Sequence, residues 1–242
     1  MAAIPGPAFA VAPPSIHPSS AVPTSAPDAP IQLDSVESAI AAIKAGEFVV
    51  VVDDMDRENE GDLICAAAGI TQQQMAWLIR HTSSAPGEHE AILVLIRRPT
   101  GSGYICICLP AQRLAELDIK MMVDDNQETH RTAYTVTCDY KRARKLADPT
   151  TTKEDFNRPG HLVPLRAVPG GVLERRGHTE SSVDLCRLAG LPEAGVICEL
   201  VKPDDPNGDM ARRDDCFAFA RQWGLKMISI EQLEQYRREN GL

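Results

Sequence analysis

Ten residues, Asp53-Asp54-Met55-Asp56-Arg57-Glu58-Asn59-Glu60-Gly61-Asp62, carry six carboxylates and one arginine. Like charges at that density repel. The cluster is tolerable if solvated, and useful if a hard divalent cation and a polar substrate neutralise it. Magnesium takes one or two protein carboxylates and leaves its other positions to water or substrate oxygens. Arg57, beside Glu58, offers a planar fork for a hydroxyl or phosphate next to such an ion. A second polar set, Arg175-Arg176-Gly177-His178-Thr179-Glu180, precedes a helical pattern. Free N–H groups at a helix start suit a phosphate or an anionic intermediate, and helix capping by Thr179 is the plainer alternative. His161 stands in Pro159-Gly160-His161 between a loop and a strand. An imidazole there suits a general base near neutral pH, although a surface histidine looks the same. Glu199 is the only charge within Val196-Ile197-Cys198-Glu199-Leu200-Val201. A carboxylate in so apolar a strand is paired, working, or on a solvent-facing side.

Other readings of these residues are weaker. Asp56, Glu58, Glu60 and Gly61 imitate the start of an EF-hand loop, but Ala67 stands where its last ligand, a glutamate, is required. Cys106-x-Cys108 could begin a zinc site, yet no second close-spaced pair completes it.

Positioning these groups requires a scaffold of mixed elements. Helix is expected from Ser35 to Ala45, capped by Asp34 with Glu37 and stopped by Gly46. Phe48–Val52 reads as a buried strand that delivers the acidic loop. Thr71 and Gln74 cap a second helix. Tyr104–Leu109 reads as a strand and Pro110–Leu117 as a short helix. Tyr134, Val136 and Cys138 alternate with Thr135 and Thr137 as a half-buried strand. Leu162–Val168 is strand-like, and a helix from Thr179 runs to Gly190. Val196–Val201 is a strand, Met210–Trp223 a helix, Leu225–Ile228 a strand, and Ser229 with Gln232 caps a last helix to Arg238. The irregular alternation predicts a single α+β or layered α/β domain, with a mixed sheet and helices on both faces.

The chain has 242 residues, 43% hydrophobic and 24% charged, with a net charge of −9. That balance fits a soluble globular domain and disfavours nucleic acid or an anionic membrane as main partner. The seven cysteines, odd in number and mostly inside apolar runs, fit a reducing compartment. Residues 1–32 are rich in Pro, Ala and Ser and hold no Lys or Arg, as expected of a disordered tail on a cytoplasmic protein.

Three motif sets resemble one known family. They are Asp56-Arg57-Glu58-Asn59-Glu60-Gly61-Asp62; Pro159-Gly160-His161 with Pro164-Leu165-Arg166-Ala167; and Gly177-His178-Thr179-Glu180 with Val183-Asp184-Leu185 and Arg187-Leu188-Ala189-Gly190-Leu191. In this order they resemble 3,4-dihydroxy-2-butanone-4-phosphate synthase of riboflavin biosynthesis, over roughly Leu33 to Arg238. The resemblance implies conversion of ribulose 5-phosphate to 3,4-dihydroxy-2-butanone 4-phosphate and formate, with Mg²⁺, or Mn²⁺ in its place. It implies Glu58 and His178 as metal ligands, and Arg57, Glu58, Asp62, Arg175, Gly177, His178, Thr179 and Glu199 around the substrate. His161 and Glu199 would be essential for catalysis. A homodimer with composite sites and a layered α/β fold are implied as well.

The chain departs from that family twice. Within the domain at 33–242, the segment 84–102 intervenes between Ser83 and Gly103, where relatives run on directly. After Lys141, a Thr-Thr-Gly-Ile-Ser-Ala loop associated with phosphate binding is missing. The rival expectations are therefore a weak or silent family member, or a sugar-phosphate-binding protein without turnover.

Overall fold

The computed structural model describes residues 31–83, 104–139, 144–202, 205 and 209–242. Most of the expected tail, the segment 84–102 and the junction after Lys141 lie outside the described residues.

The strands are β1 (Val49–Val52), β2 (Gly61–Ala66), β3 (Cys106–Pro110), β4 (Cys138–Asp139), β5 (Asn157–Ala167), β6 (Gly195–Glu199) and β7 (Lys226–Ser229). They form one mixed seven-stranded sheet in the order β4-β5-β3-β6-β2-β1-β7. The β1–β7 and β3–β5 pairs are parallel. The β1–β2, β2–β6, β3–β6 and β4–β5 pairs are antiparallel.

The helices are α1 (Val36–Lys44), α2 (Gln72–His81), α3 (Ala111–Glu116), the short α4 (Arg144–Ala147), α5 (His178–Leu188), α6 (Arg213–Trp223) and α7 (Ile230–Glu239). Strand alternation sends Val49 and Val51 to one face, where they pack with Ile43 of α1, Leu185 of α5 and Leu233 of α7. Val50 and Val52 go to the other face with Leu78 of α2, Leu114 of α3 and Phe219 of α6. The domain is thus a layered α/β fold with helices on both faces of a mixed sheet, as expected. Each fully buried aliphatic side chain contributes about 1.5–3 kcal/mol, so the two apolar layers make the sheet a stiff platform.

Several elements differ from expectation. Asp34 does not cap α1; Ser35 does, accepting from the Ser38 N–H at 3.2 Å. Asp34 instead ties the segment before α1 to the β7 edge of the sheet, through Arg221 and Lys226 and the Met227 N–H. β2 was not foreseen. Its residues Leu63-Ile64-Cys65-Ala66 are buried on both faces, so the run lacks the alternation that marks a half-exposed strand. Tyr134 and Thr135 form isolated bridges, and the regular strand is reduced to Cys138–Asp139. Thr135 is buried along with Cys138, its hydroxyl donating to the Pro164 carbonyl at 2.7 Å. Pro159-Gly160-His161 belongs to β5 itself, not to a loop before it. Gly160 permits this pairing, because a Cβ there would fall on the Cys138 backbone.

Candidate active site

β1 and β2 are adjacent antiparallel strands, and the acidic loop is the connection between them. The loop is organised from inside by Asp53. Its Oδ1 accepts the Glu60 N–H at 2.9 Å, and its Oδ2 accepts the Glu58 N–H at 3.0 Å and Arg57 Nη1 at 2.8 Å. Asn59 takes a left-handed turn at φ 52°. Asp54 pairs with Arg176, and Asp56 faces solvent. From the start of α6, Arg212 Nη1 grips the Glu58 carbonyl at 2.7 Å. Three carboxylates, Asp53, Asp54 and Asp56, are thereby spent on structure or solvent, while Glu58, Glu60 and Asp62 face a cleft.

That cleft encloses about 260 Å³. Its walls hold Arg57, Glu58, Glu60, Asp62, Arg175, His178, Thr179 and Glu199. All the expected site residues except His161 and Gly177 therefore line it. Gly177 lies directly behind the wall as the residue preceding α5, and its lack of a side chain lets Arg175 and Glu180 meet there. Thr179 lies within α5 and Gly177 occupies the cap position, so capping by Thr179 is not the reason for that residue.

His178 is the residue on which the acidic groups converge. Its Nδ1 lies 3.6 Å from Glu58 Oε2 and 3.8 Å from Asp62 Oδ1. Burial works against a charged ring, but Asp62, Glu58 and Asp53 outweigh it and push the pKa up to about 9. Burial would likewise raise Glu58, yet His178 and Arg57 pull it down to about 2. Asp62, fully buried and facing Glu199, Glu58 and Glu60, is pushed up to about 8 despite His178. Burial and the Glu58 charge lift Glu60 to about 7 against the pull of Arg212. The cleft is a nest of carboxylates short of positive charge.

A cation fits this deficit. One ligand atom each from Asp53, Glu58 and His178 lie within 4.8 Å of one another. Asp53 already spends both oxygens on the loop, which leaves Glu58 and His178 as the adaptable pair. His178 Nε2 and Asp62 Oδ1 are buried without a hydrogen-bond partner among the described residues. Buried polar atoms are normally satisfied, so these two point to a missing ligand. An oxygen-rich set with one imidazole suits Mg²⁺ or Mn²⁺.

Sequence reasoning missed Glu128, His130, Thr132 and Tyr134, which complete the far wall. Arg175 ties them in. Its Nη2 donates to the His130 carbonyl at 3.0 Å while its Nη1 pairs with Glu180 Oε2 at 2.5 Å. Glu128 folds the loop by accepting the His130 and Thr132 N–H groups. The polar run Asn126–Thr132 just before an alternating segment was the available signal. His161 stands apart, with its side chain 95% exposed and its Nδ1 2.8 Å from Asp139 Oδ2.

Comparison with known proteins places the chain in a family. A sequence model of the 3,4-dihydroxy-2-butanone 4-phosphate synthase family matches residues 37–86 and 87–236. The 3,4-dihydroxy-2-butanone 4-phosphate synthase of Schizosaccharomyces pombe is 47% identical over 219 residues, 84% of this chain and 97% of that protein. The Candida albicans protein of the same name is 44% identical over 215 residues, 83% of this chain and 95% of its own length. A crystal structure of 3,4-dihydroxy-2-butanone 4-phosphate synthase in complex with two magnesium ions superposes with a TM-score of 0.75 at 40% identity, covering 86% of this chain and 99% of that one. A cation-free form of a synthase of this name gives 0.73 at 39% identity, over 87% and 100% of the two chains. With the fold and these likenesses in agreement, the chain belongs to the 3,4-dihydroxy-2-butanone 4-phosphate synthase family.

Proposed function

We propose that the cleft takes D-ribulose 5-phosphate and converts it to L-3,4-dihydroxy-2-butanone 4-phosphate and formate, a step of riboflavin biosynthesis. The observation that carries this is the meeting of Glu58 and His178 at 3.6 Å inside a cleft of unbalanced carboxylates, in a chain of this family. Glu58 and His178 hold Mg²⁺, with Mn²⁺ as the alternative. When bound, the ion supplies a Lewis acid toward the carbonyl and neighbouring hydroxyl oxygens of the sugar.

The chain's own residues supply the rest. Arg57 and Arg175 present guanidinium N–H groups on the cleft wall and orient hydroxyl and phosphate oxygens. Asp62 and Thr179 fix the sugar between the sheet and the start of α5. Glu199, at the end of β6 and open to the cleft, takes and returns carbon-bound and hydroxyl protons. His161 is far more exposed than the residues around Glu199. We therefore assign it to the cleft of a second copy in a homodimer with composite sites. No helix among the described residues is long and apolar enough to cross a membrane, and all seven cysteines are buried and outside any disulfide. On the ground of those thiols the reaction is assigned to the cytoplasm, and on the ground of the net charge of −9 no nucleic-acid or anionic-membrane partner is assigned.

The test is direct. The full chain is incubated with ribulose 5-phosphate and Mg²⁺, and formate and the four-carbon phosphate are measured. Stoichiometric release of both is expected. A folded chain that releases neither, with Mg²⁺ or with Mn²⁺, rules the proposal out.

A further inference from the structure

Glu199 is held by a residue outside the cleft lining. Ser83 follows α2, whose last turn leads into Thr82. Thr82 is buried, donates its hydroxyl to the Leu78 carbonyl at 2.9 Å and bridges Leu200. This places Ser83 against the end of β6. Its N–H donates to the Glu199 carbonyl at 2.9 Å, and its hydroxyl donates to Glu199 Oε2 at 2.8 Å. The same Oγ lies 3.6 Å from Cys198 Sγ. One residue thus grips both the main chain and the side chain of Glu199.

We infer that Ser83 is a positioning residue for the reaction, fixing the rotamer of the Glu199 carboxylate so that it faces the cleft. The inference rests on the reading of Glu199 as a proton-transfer group. The need for such a clamp is visible in the charge distribution. Glu199 is the direct cross-strand partner of Asp62 and shares the cleft with Glu58 and Glu60. A carboxyl group crowded by three others has competing orientations, and a fixed donor selects one of them. Among the described residues, the Ser83 hydroxyl is the hydrogen-bond donor within 3 Å of that carboxylate. A hydroxyl donating to an ionised carboxylate is among the stronger neutral-to-charged contacts. It pins one oxygen and sets the direction of the other. A proton-transfer group must sit within hydrogen-bond reach of its target, and misplacement by about 1 Å can cost on the order of 100-fold in rate.

Ser83→Ala removes the hydroxyl and keeps the backbone clamp. Ser83→Thr keeps the hydroxyl. Formate release by each variant is measured across ribulose 5-phosphate concentrations at saturating Mg²⁺. Ser83→Ala is expected to lower kcat by about 10- to 100-fold with KM within about threefold of the parent, and Ser83→Thr to recover most of kcat. A kcat for Ser83→Ala within about twofold of the parent overturns the inference. So does a loss in Ser83→Thr as deep as in Ser83→Ala, which marks a packing role. Crystal structures of parent and Ser83→Ala supply a readout independent of turnover. The Glu199 carboxylate should leave its place beside residue 83 in the alanine variant. If it stays, Ser83 does not position it. A parent that releases no formate sinks the functional reading, and the two crystal structures still decide the clamp.

Discussion

Asp62 and Glu199 lie directly opposite each other in the antiparallel ladder between β2 and β6, and both project into the cleft. Burial of Asp62 and Glu60, and then the charges of Glu199 and Glu58 beside them, make the folded protein hold protons that the unfolded chain releases. Asp62 is raised from an ordinary 3.8 to about 8, Glu60 from 4.5 to about 7, and His178 from 6.5 to about 9. The sign is the same for all three. Where the native state binds more protons, stability falls as pH rises, over about 4 to 8 for Asp62, 4.5 to 7 for Glu60 and 6.5 to 9 for His178. The protein stripped of divalent ions should therefore melt at progressively lower temperature between pH 6 and pH 9. Mg²⁺ should restore more stability at pH 8.5 than at pH 6, since protons no longer compete with it. Thermal scans with EDTA and with Mg²⁺ check this. A melting temperature that holds steady or climbs over that range without metal contradicts the electrostatics described.

Glu58→Gln and His178→Ala should each weaken Mg²⁺ binding, measured in the presence of ribulose 5-phosphate, by more than about tenfold. Loss of a mere supporting partner of a ligand already costs 10- to 100-fold. Asp56→Asn, on the exposed side of the same loop, should leave the affinity unchanged. Unchanged affinity in the first two variants removes the metal assignment, whereas an equal drop in Asp56→Asn reduces it to a general effect of loop charge.

Much of this was readable in advance. The strand at Val49–Val52 is an unbroken β-branched apolar run and the helix before Gly190 carries a helical apolar pattern, and they deliver Glu58 and His178 to one place. What stayed hidden has a physical reason in each case. β2 lacks alternation because its two faces are both covered, and its Gly61-Asp62 start and Cys65-Ala66 end keep it from reading as a β-branched run like β1. Glu128 and His130 belong to a loop held by its own polar contacts and by Arg175, and no period marks such a loop. His161 reads as a loop residue because Pro and Gly precede it, yet β5 continues through all three with Gly160 pressed on β4. The use of Asp53 as a loop organiser, rather than one more cleft charge, depends on three-dimensional closure that local sequence does not express.

A composite site makes a quantitative prediction for mixed dimers. His161→Ala and Glu199→Ala should each abolish formate release alone. If His161 serves the cleft of a second copy, a heterodimer of the two variants has one cleft with both defects and one intact. Random reassortment gives half heterodimers, so a 1:1 mixture should regain about a quarter of the parent rate. Activity after mixing and unfolding–refolding is the measurement. No recovery, with heterodimers demonstrated by mass, places His161 outside any cleft or in the same cleft as Glu199 of its own chain.

Asp34 links the segment before α1 to the β7 edge through Arg221, Lys226 and the Met227 N–H, and these contacts hold its carboxyl below the usual range against the opposing effect of burial. A depressed carboxylate contributes stability above its unfolded pKa of 3.8 and loses it as pH falls through the folded value. Asp34→Ala should cost about 1.5–3 kcal/mol at pH 7, seen as a fall of several degrees in melting temperature. Glu37→Ala should change stability by no more than about 0.5 kcal/mol, because Ser35 supplies the α1 cap. A larger loss at Glu37 than at Asp34 reverses this assignment.

Gly177 offers the sharpest test of how the cleft wall is assembled. A Cβ at this position would land on Arg175 Nη1 and lie 2.6 Å from Glu180 Oε2, the two groups whose ion pair closes the turn into α5. Arg175 in turn holds the His130 carbonyl and the Thr132 hydroxyl, and the next residue is His178. The ion pair therefore cannot keep its place beside an alanine, and its displacement moves both the 130–132 wall and the start of α5. The backbone needs no left-handed conformation here, since the Gly177 φ is −118°. Any effect then comes from the crowded space and not from strain. Gly177→Ala should remain folded, because the apolar layers on the sheet are untouched. It should lower kcat/KM by about 100-fold, in line with a displacement near 1 Å at a reacting site, and weaken Mg²⁺ binding along with it. Gly69→Ala, where nothing lies within 4 Å of the added carbon, serves as the control and should match the parent. Parental kinetics in Gly177→Ala show that Arg175 can leave Glu180 without consequence, and the wall is then not held as described.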